Sequence, residues 1–302
     1  MAKAAPMNFS NPALRRNPIR TAVRVAWSMA LKRRPPTRPL VVPFDEGRLR
    51  IYADMQTAFG RQMYRFGVLE PDLRLVRHLL RPGEVFVDGG AHVGLFSLVA
   101  AHAVGPEGTV YSFEPVSETF RQLAANALLN GLANVRMYCE ALGAISGETD
   151  FTVMQGDRAP WSHMGSPSDG EVGVRLKVPV ATLAERIPTE VWRKIALVKL
   201  DIEGAELDAL RGGEPILDAA HPPILMEFVP GHFDGFGIKP HDVLAFLTDK
   251  AYRLLRPSDD PEVWISCSPE QAMHLDPERP NLLATVSLEA VSRRGVRVVN
   301  DG

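Results

Sequence analysis

Three features of the sequence predict an α/β fold with a mostly parallel central sheet flanked by helices. Residues 85–115 read VFVDGGAHVGLFSLVAAHAVGPEGTVYSFEP. An apolar strand (Val85 to Val87) ends in Asp88, and a glycine turn follows through Gly89, Gly90 and Gly94. An apolar helix, Leu95 to Val104, is closed by Gly105 and Pro106, and a second strand, Thr109 to Phe113, ends in Glu114. Strand, turn, helix, strand is one βαβ unit, and its handedness leaves a ligand crevice at the strand carboxyl ends. Further on, Ala196 to Leu200 is an apolar run interrupted only by Lys199, as expected of a strand covered on both faces. Length and composition agree with this reading. With 302 residues, 45% of them hydrophobic and 23% charged, and a net charge of −2, the chain can bury a large core and is neither disordered nor globally basic like a nucleic-acid binder.

The elements follow in order. Residues 1–50 carry eleven Lys or Arg against Asp45 and Glu46 alone. Within them Ile19, Val23, Trp27 and Leu31 recur every four residues beside Ala22, Ala26 and Ala30, which predicts a basic amphipathic helix. Two roles suit it: packing on the catalytic domain or a subunit, which Trp27 and the alanines favour, or a peripheral membrane contact through residues 15–38. The proline-rich stretch from Arg34 to Pro43 reads as a linker. Residues 1–43 are thus an arm, 44–292 the main domain, and 293–302 a frayed tail. Short strands and turns at the domain edge are expected from Phe44 to Arg65. A helix from Pro71 to Leu80 is stopped by Pro82 and Gly83. Helix Ser117 to Asn130 starts on a capping pattern and stops at Gly131, and strand Val135 to Cys139 follows. Phe151 to Gly173 is polar and turn-rich and is expected to be a loop. The Ala196 strand leads into a helix from Glu206 to Arg211. After it come strand Ile224 to Phe228, helix His241 to Lys250, and strands at Tyr252 to Leu255, Val263 to Cys267 and Asn281 to Val286.

Other classes are disfavoured. Cys139 and Cys267 lack CxxC spacing and form no disulfide framework, as in a cytoplasmic protein. No apolar run approaches the roughly 20 residues of a spanning helix, and the amino terminus has no uninterrupted apolar signal core. His221, His232 and His241 lack zinc-ligand spacing, so no metal site is assigned, although a magnesium held by Asp201, Glu203 and Glu227 stays open.

The crevice ligand is constrained by charge. The dinucleotide fingerprint needs a glycine where this chain, read from Gly89, has Ala91, and the Asp88 carboxylate would repel a pyrophosphate. A cationic ligand without phosphates fits better. S-adenosyl-L-methionine carries an ammonium and a sulfonium, and Glu114 can accept both ribose hydroxyls. VFVDGGAHVGLFSLVAA, VYSFEPVSETFRQLAANALLNGLANV, EALGAISGETDF, VPVATLAERI and ALVKLDIEGAELDALRG resemble, in order, the motifs of FkbM-type methyltransferases over about residues 70–228. His92 departs from the Asn usual in that family. The resemblance implies a Rossmann-like class I methyltransferase fold closed by an antiparallel strand near the C-terminus. It also implies O-methylation of a hydroxyl on a sugar, glycolipid or polyketide-like small molecule; that no nucleic acid is a partner is expected from the composition and net charge.

The candidate cofactor residues are Asp88, Gly90, Gly94 and Glu114, with Glu70 bordering the mouth and Glu140 and Ala141 near the adenine by resemblance. Asp201, Glu203 and Glu206 lie within six residues and repel one another unless something positive sits between them. Glu206 reads as an acid opposing its helix dipole. Glu227 is an acid in an apolar run, costly without a partner. Asp201, Glu203, Glu227 and His163 are the candidates for base and substrate contacts. Two alternatives remain: an oxidoreductase using NAD or a nucleotide sugar on the same scaffold, and a non-catalytic adaptor.

Overall fold

A computed structural model describes residues 18–67, 70, 72–154, 163–164, 173–260 and 262–300, apart from the side chains at 32, 33, 154, 163 and 164. The chain divides into two compact units, Met1–Glu70 and Pro71–Gly302.

In the first unit, helix α1 (Pro18–Arg33) is followed by an antiparallel pair, β1 (Leu40–Phe44) and β2 (Leu49–Ala53), and by helix α2 (Ala58–Phe66). The expected linker therefore ends in a strand. Pro43 is tolerated there because β1 pairs on one side only. Helix α2, unforeseen in the sequence, starts where the Thr57 hydroxyl accepts from the Gly60 amide, and it buries Met63. Helix α1 forms as expected, but the apolar stripe is not the face it buries. Thr21, Val25 and Ser28 are buried, whereas Ile19, Val23 and Trp27 are exposed.

The second unit opens with helix α3 (Asp72–Leu79) and is built on a nine-stranded sheet. Strands β3 (Val85–Gly89), β4 (Thr109–Phe113), β5 (Val135–Tyr138), β10 (Ile195–Leu200) and β11 (Ile224–Glu227) are parallel, in the order β5-β4-β3-β10-β11. β14 (Asn281–Thr285) runs antiparallel between β11 and β12 (Arg253–Pro257), so the predicted antiparallel closure is present. β13 (Val263–Cys267) and β15 (Arg297–Val299) extend the edge. The tail is thus not frayed through Val299, because β15 pairs in parallel with β13.

β3 and β10 are buried along their whole length, as their apolar runs required. Helices α4 (Leu95–Val104) and α5 (Ser117–Leu129) form where expected, and α4 ends on Gly105 at φ 66°, but α5 starts after Val116 with no side-chain cap, so the capping pattern at Ser117 is not used. Strand order reverses between β3 and β10, and that switch point fixes where a crevice opens.

A second, four-stranded sheet takes in Phe151 to Met154 and His163–Met164 of the expected loop, of which residues 155–162 and 165–172 lie outside the described residues. β6 (Ala141–Leu142), β9 (Gly173–Ala181), β7 (Gly147–Met154) and β8 (His163–Met164) pair in that order. Its signal was the alternation Val174, Leu176, Val178, Val180. Trp161 and Ser162 lie outside the described residues.

Candidate functional site

The crevice is built on paired residues. In the β3–β10 register Asp88 stands opposite Lys199, and Gly89 opposite Leu200. The Lys199 ammonium is buried, 3.6 Å from Asp88 Oδ1 and 3.1 Å from Asp201 Oδ2, and it donates to the Gly90 carbonyl at 3.3 Å. It also lies 4.8 Å above the Phe96 ring. The other Asp88 oxygen accepts from Ser97 at 2.5 Å, and Ser97 in turn pairs with Ser112 at 2.7 Å. Burial pushes the Asp88 carboxyl upward, while Lys199 and Ser97 oppose the shift. This corrects the reading of Asp88 as an acid aimed into the turn: it is fully buried and tied to α4 and β10. The sequence noted Lys199 only as an interruption in a strand. A lysine inside an apolar run between two acids at strand ends was the available signal.

The turn from Gly90 to Gly94 spends four of its five amides internally. Gly90 and Ala91 donate to the Phe113 carbonyl at 3.1 and 2.9 Å, His92 donates to Glu114 Oε2 at 3.0 Å, and Gly94 donates to the Ala91 carbonyl at 2.8 Å. Gly90 sits at φ 74°, and a Cβ there would lie 1.9 Å from the Asp201 carbonyl oxygen, so only glycine lets the two strand ends meet. Gly94 precedes α4. His92 adopts φ 49°, a left-handed conformation that Asn, Asp and His enter more readily than other side chains, so the change from Asn is accommodated by the backbone. Burial lowers the His92 pKa to about 4, with Asp201 opposing and Lys199 adding to the shift.

Glu114 is buried at the end of β4, its second oxygen accepting from the Val116 amide at 2.9 Å. Burial raises its pKa to about 7, against the pull of these two amides. It therefore braces both loops that flank the crevice. Ala141 is buried on β6. Glu140, by contrast, holds a bidentate ion pair with Arg186 at 2.6 and 2.7 Å, so its carboxylate is committed to a protein partner. Glu70 is the last residue of the first unit, flanked by positions outside the described residues.

A second group of acids gathers beyond β10 and β11. Asp201 is partly exposed and paired with Lys199, apart from the other two. Glu203, at φ 55°, and Glu227, the last residue of β11, converge on His232: its Nδ1 is 3.2 Å from Glu203 Oε2 and 3.5 Å from Glu227 Oε2. Spacing in the sequence gives His232 no partner for a ligand site. What brings it close is Gly204, where a Cβ would stand 2.3 Å from the His232 carbonyl oxygen. Burial, with Glu227 adding to it, raises the Glu203 pKa to about 8, and contact with Glu227 raises that of His232. Glu206, fully buried at the start of helix α6 (Glu206–Gly212), accepts from the Ile202 amide at 3.0 Å and is pushed by burial to about 8. Among the described residues, Glu203, Glu227 and His232 are the set whose ligand-type atoms lie within 4.8 Å of one another, and they could hold a divalent ion as well as a proton. The magnesium set left open in the sequence is thereby altered, with His232 in place of Asp201. The backbone of His163 pairs with Thr152, and its side chain lies outside the described part of the structure.

Residues 88–254, more than half of the chain, match the model of the methyltransferase FkbM domain. The chain belongs to the FkbM methyltransferase family. It is 29% identical over 186 residues to the 31-O-demethyl-FK506 methyltransferase FkbM of Streptomyces tacrolimicus, covering 51% of this chain and 70% of that protein. To methyltransferase sdnD of Sordaria araneosa it is 26% identical over 197 residues, covering 56% and 74%. The crystal structure of a methyltransferase FkbM from Methylobacillus flagellatus KT aligns with a TM-score of 0.42 at 14% identity, over 91% of this chain and 60% of that one, a likeness too low to carry weight. The family membership makes the protein a methyltransferase.

Proposed function

We propose that this methyltransferase uses S-adenosyl-L-methionine to methylate a hydroxyl of a small molecule. The observation that supports the cofactor most is the state of the turn: four of its five amides, those of Gly90, Ala91, His92 and Gly94, are spent within the protein. A pyrophosphate bound at such a turn needs free amides, so a ligand read by shape and by carboxylates fits this turn better than a dinucleotide. The charge of Asp88 no longer decides the matter, since Lys199 balances it.

When bound, the cofactor supplies a sulfonium methyl group. The protein's share is to hold two partners in line and to accept one proton. Gly90 and Gly94 shape the turn, Glu114 accepts ribose hydroxyls through lone pairs its two amide contacts leave over, and Ala141 gives an apolar wall. Asp88 acts by fixing Ser97 and Lys199. The acceptor's proton passes to the cluster of Glu203, His232 and Glu227. Imidazole Nδ1 faces the two acids, which hold the ring in place and stabilise the cation formed on it. Asp201 contacts the acceptor from the partly exposed side.

A hydroxyl acceptor is supported by the relative whose name specifies a 31-O-demethyl substrate, and a sugar, glycolipid or polyketide-like molecule is the class we infer. Calorimetry with S-adenosylhomocysteine and with NAD tests the reading. Binding of the first alone is expected; binding of NAD alone would move the protein to the oxidoreductase alternative, and binding of neither to the adaptor.

A further inference from the structure

Helix α1 shows its apolar side to solvent. Ile19 is 77% exposed, Val23 55%, Trp27 59% and Met29 58%, and Ala22, Ala26 and Ala30 between them are exposed as well. At about 100° per residue these seven positions fill one arc of roughly 160°, opposite the buried arc of Thr21, Val25 and Ser28. The helix is fastened by that opposite side. Ser28 Oγ donates to the Val25 carbonyl at 2.9 Å and accepts from Arg65 on α2, and the Arg24 guanidinium lies 5.5 Å over the Tyr64 ring. The anchoring side thus uses small and polar groups, while the large apolar side chains are left outward. A contiguous apolar face of this kind on a surface helix marks an interaction site.

Charge selects the partner. Arg20 borders the stripe, Lys32, Arg33, Arg34 and Arg38 follow it, and residues 1–44 contain no Asp or Glu. A second copy of the chain would bring the same cations against one another. An anionic lipid surface instead takes the apolar arc into its acyl boundary and the arginines at its headgroups, with Trp27 suited to that interface. We propose that α1 is an in-plane anchor that docks this protein on anionic membranes, independently of the identity of the cofactor. Its 16 residues span about 24 Å, enough to lie along a bilayer surface. No helix among the described residues is long and apolar enough to cross one.

The test uses the full chain, sedimented with vesicles of phosphatidylcholine alone or with phosphatidylglycerol added. The expected result is co-sedimentation with the anionic vesicles at low salt and release as salt rises. Val23→Glu with Trp27→Glu should weaken binding by more than about tenfold at unchanged melting temperature, since both side chains are exposed, and Arg20→Gln should weaken it by about fivefold. Absence of binding, equal binding to neutral vesicles, or an undiminished double variant would overturn the proposal. So would concentration-dependent self-association that the double variant abolishes, which would assign the stripe to a second copy. If the double variant does not fold, Arg20→Gln and the salt series still decide.

Discussion

The glycine turn after β3 and the acidic loop after β10 lie at neighbouring strand ends and are opposite in their chemistry. In the turn most polar groups have a partner: its amides meet Phe113, Glu114 and Ala91, and Asp88 accepts from Ser97 through one oxygen while the other, without a hydrogen bond, is balanced by the Lys199 charge. In the acidic loop Glu203 and Glu227 share one imidazole, Glu206 meets the Ile202 amide, and buried oxygens of Glu206 and Glu227 have no hydrogen-bond partner. A satisfied region holds shape. An under-compensated one holds protons in shiftable positions, which suits a transfer step. Substitution in the turn should therefore damage the fold, whereas substitution in the acidic loop should damage turnover.

The largest effect is expected at Gly90. Gly90→Ala adds a methyl group against the Asp201 carbonyl and forces an L side chain into a left-handed conformation. Together these should cost about 3 kcal/mol or more, lowering the melting temperature by roughly 6 to 12 °C. A normal melting curve would show that the two strand ends are not in contact.

Glu203→Gln should do the reverse. It removes a carboxylate that burial disfavours, so the fold should survive while turnover drops about 100-fold. Stability against pH gives a second reading. A carboxyl whose pKa is raised in the folded state binds more protons folded than unfolded, so its contribution is present at low pH and is lost as pH rises from the ordinary carboxylate range to about 8. Denaturant titrations should show that loss in the parent protein, and a flatter profile in Glu203→Gln. His92, with its pKa lowered to about 4, works in the other direction, gaining stability from pH 4 toward its ordinary value. Full turnover in Glu203→Gln would transfer the proton to Asp201 or His163.

The same contrast explains how much was legible beforehand. The turn was read correctly as a turn because glycines, apolar runs and strand-end acids are local signals. What was misread was the direction of Asp88, since its partner Lys199 is over a hundred residues away. The acidic loop was visible as a cluster of carboxylates, yet His232 was not, because it is brought in by a close approach at Gly204 that no spacing in the chain announces. The small sheet is hidden for a different reason: polarity dominates the stretch after Phe151, and the alternation from Val174 to Val180 is a short signal at its far end. Helix α1 was found by periodicity, which cannot say which side of a helix is covered.

A smaller effect is expected at Glu114, which combines both characters. Glu114→Gln keeps an oxygen to accept one of the two amides while losing the charged acceptor, and should weaken S-adenosylhomocysteine binding by about 1.5 to 3 kcal/mol in calorimetry. The loss should exceed that of any substitution in the acidic loop. Affinity unchanged in Glu114→Gln would place the ribose elsewhere and leave Glu114 as a brace alone.

The smallest effect is expected at Glu140, where resemblance and geometry part. If its carboxylate met the adenine, Glu140→Gln would weaken cofactor binding on the scale of Glu114→Gln. In the structure it is fully taken by Arg186 through two short charge-assisted bonds, at a partly exposed site where such a pair contributes about 1 kcal/mol or less. Glu140→Gln should therefore lower stability slightly, more so at low salt than at high, with cofactor affinity changed less than about twofold. Arg186→Gln should reproduce the stability change, and the double variant should lose no more than either single one, because both remove the same pair. A large loss of affinity in Glu140→Gln that Arg186→Gln does not share would return Glu140 to the cofactor wall and extend the satisfied region by one strand.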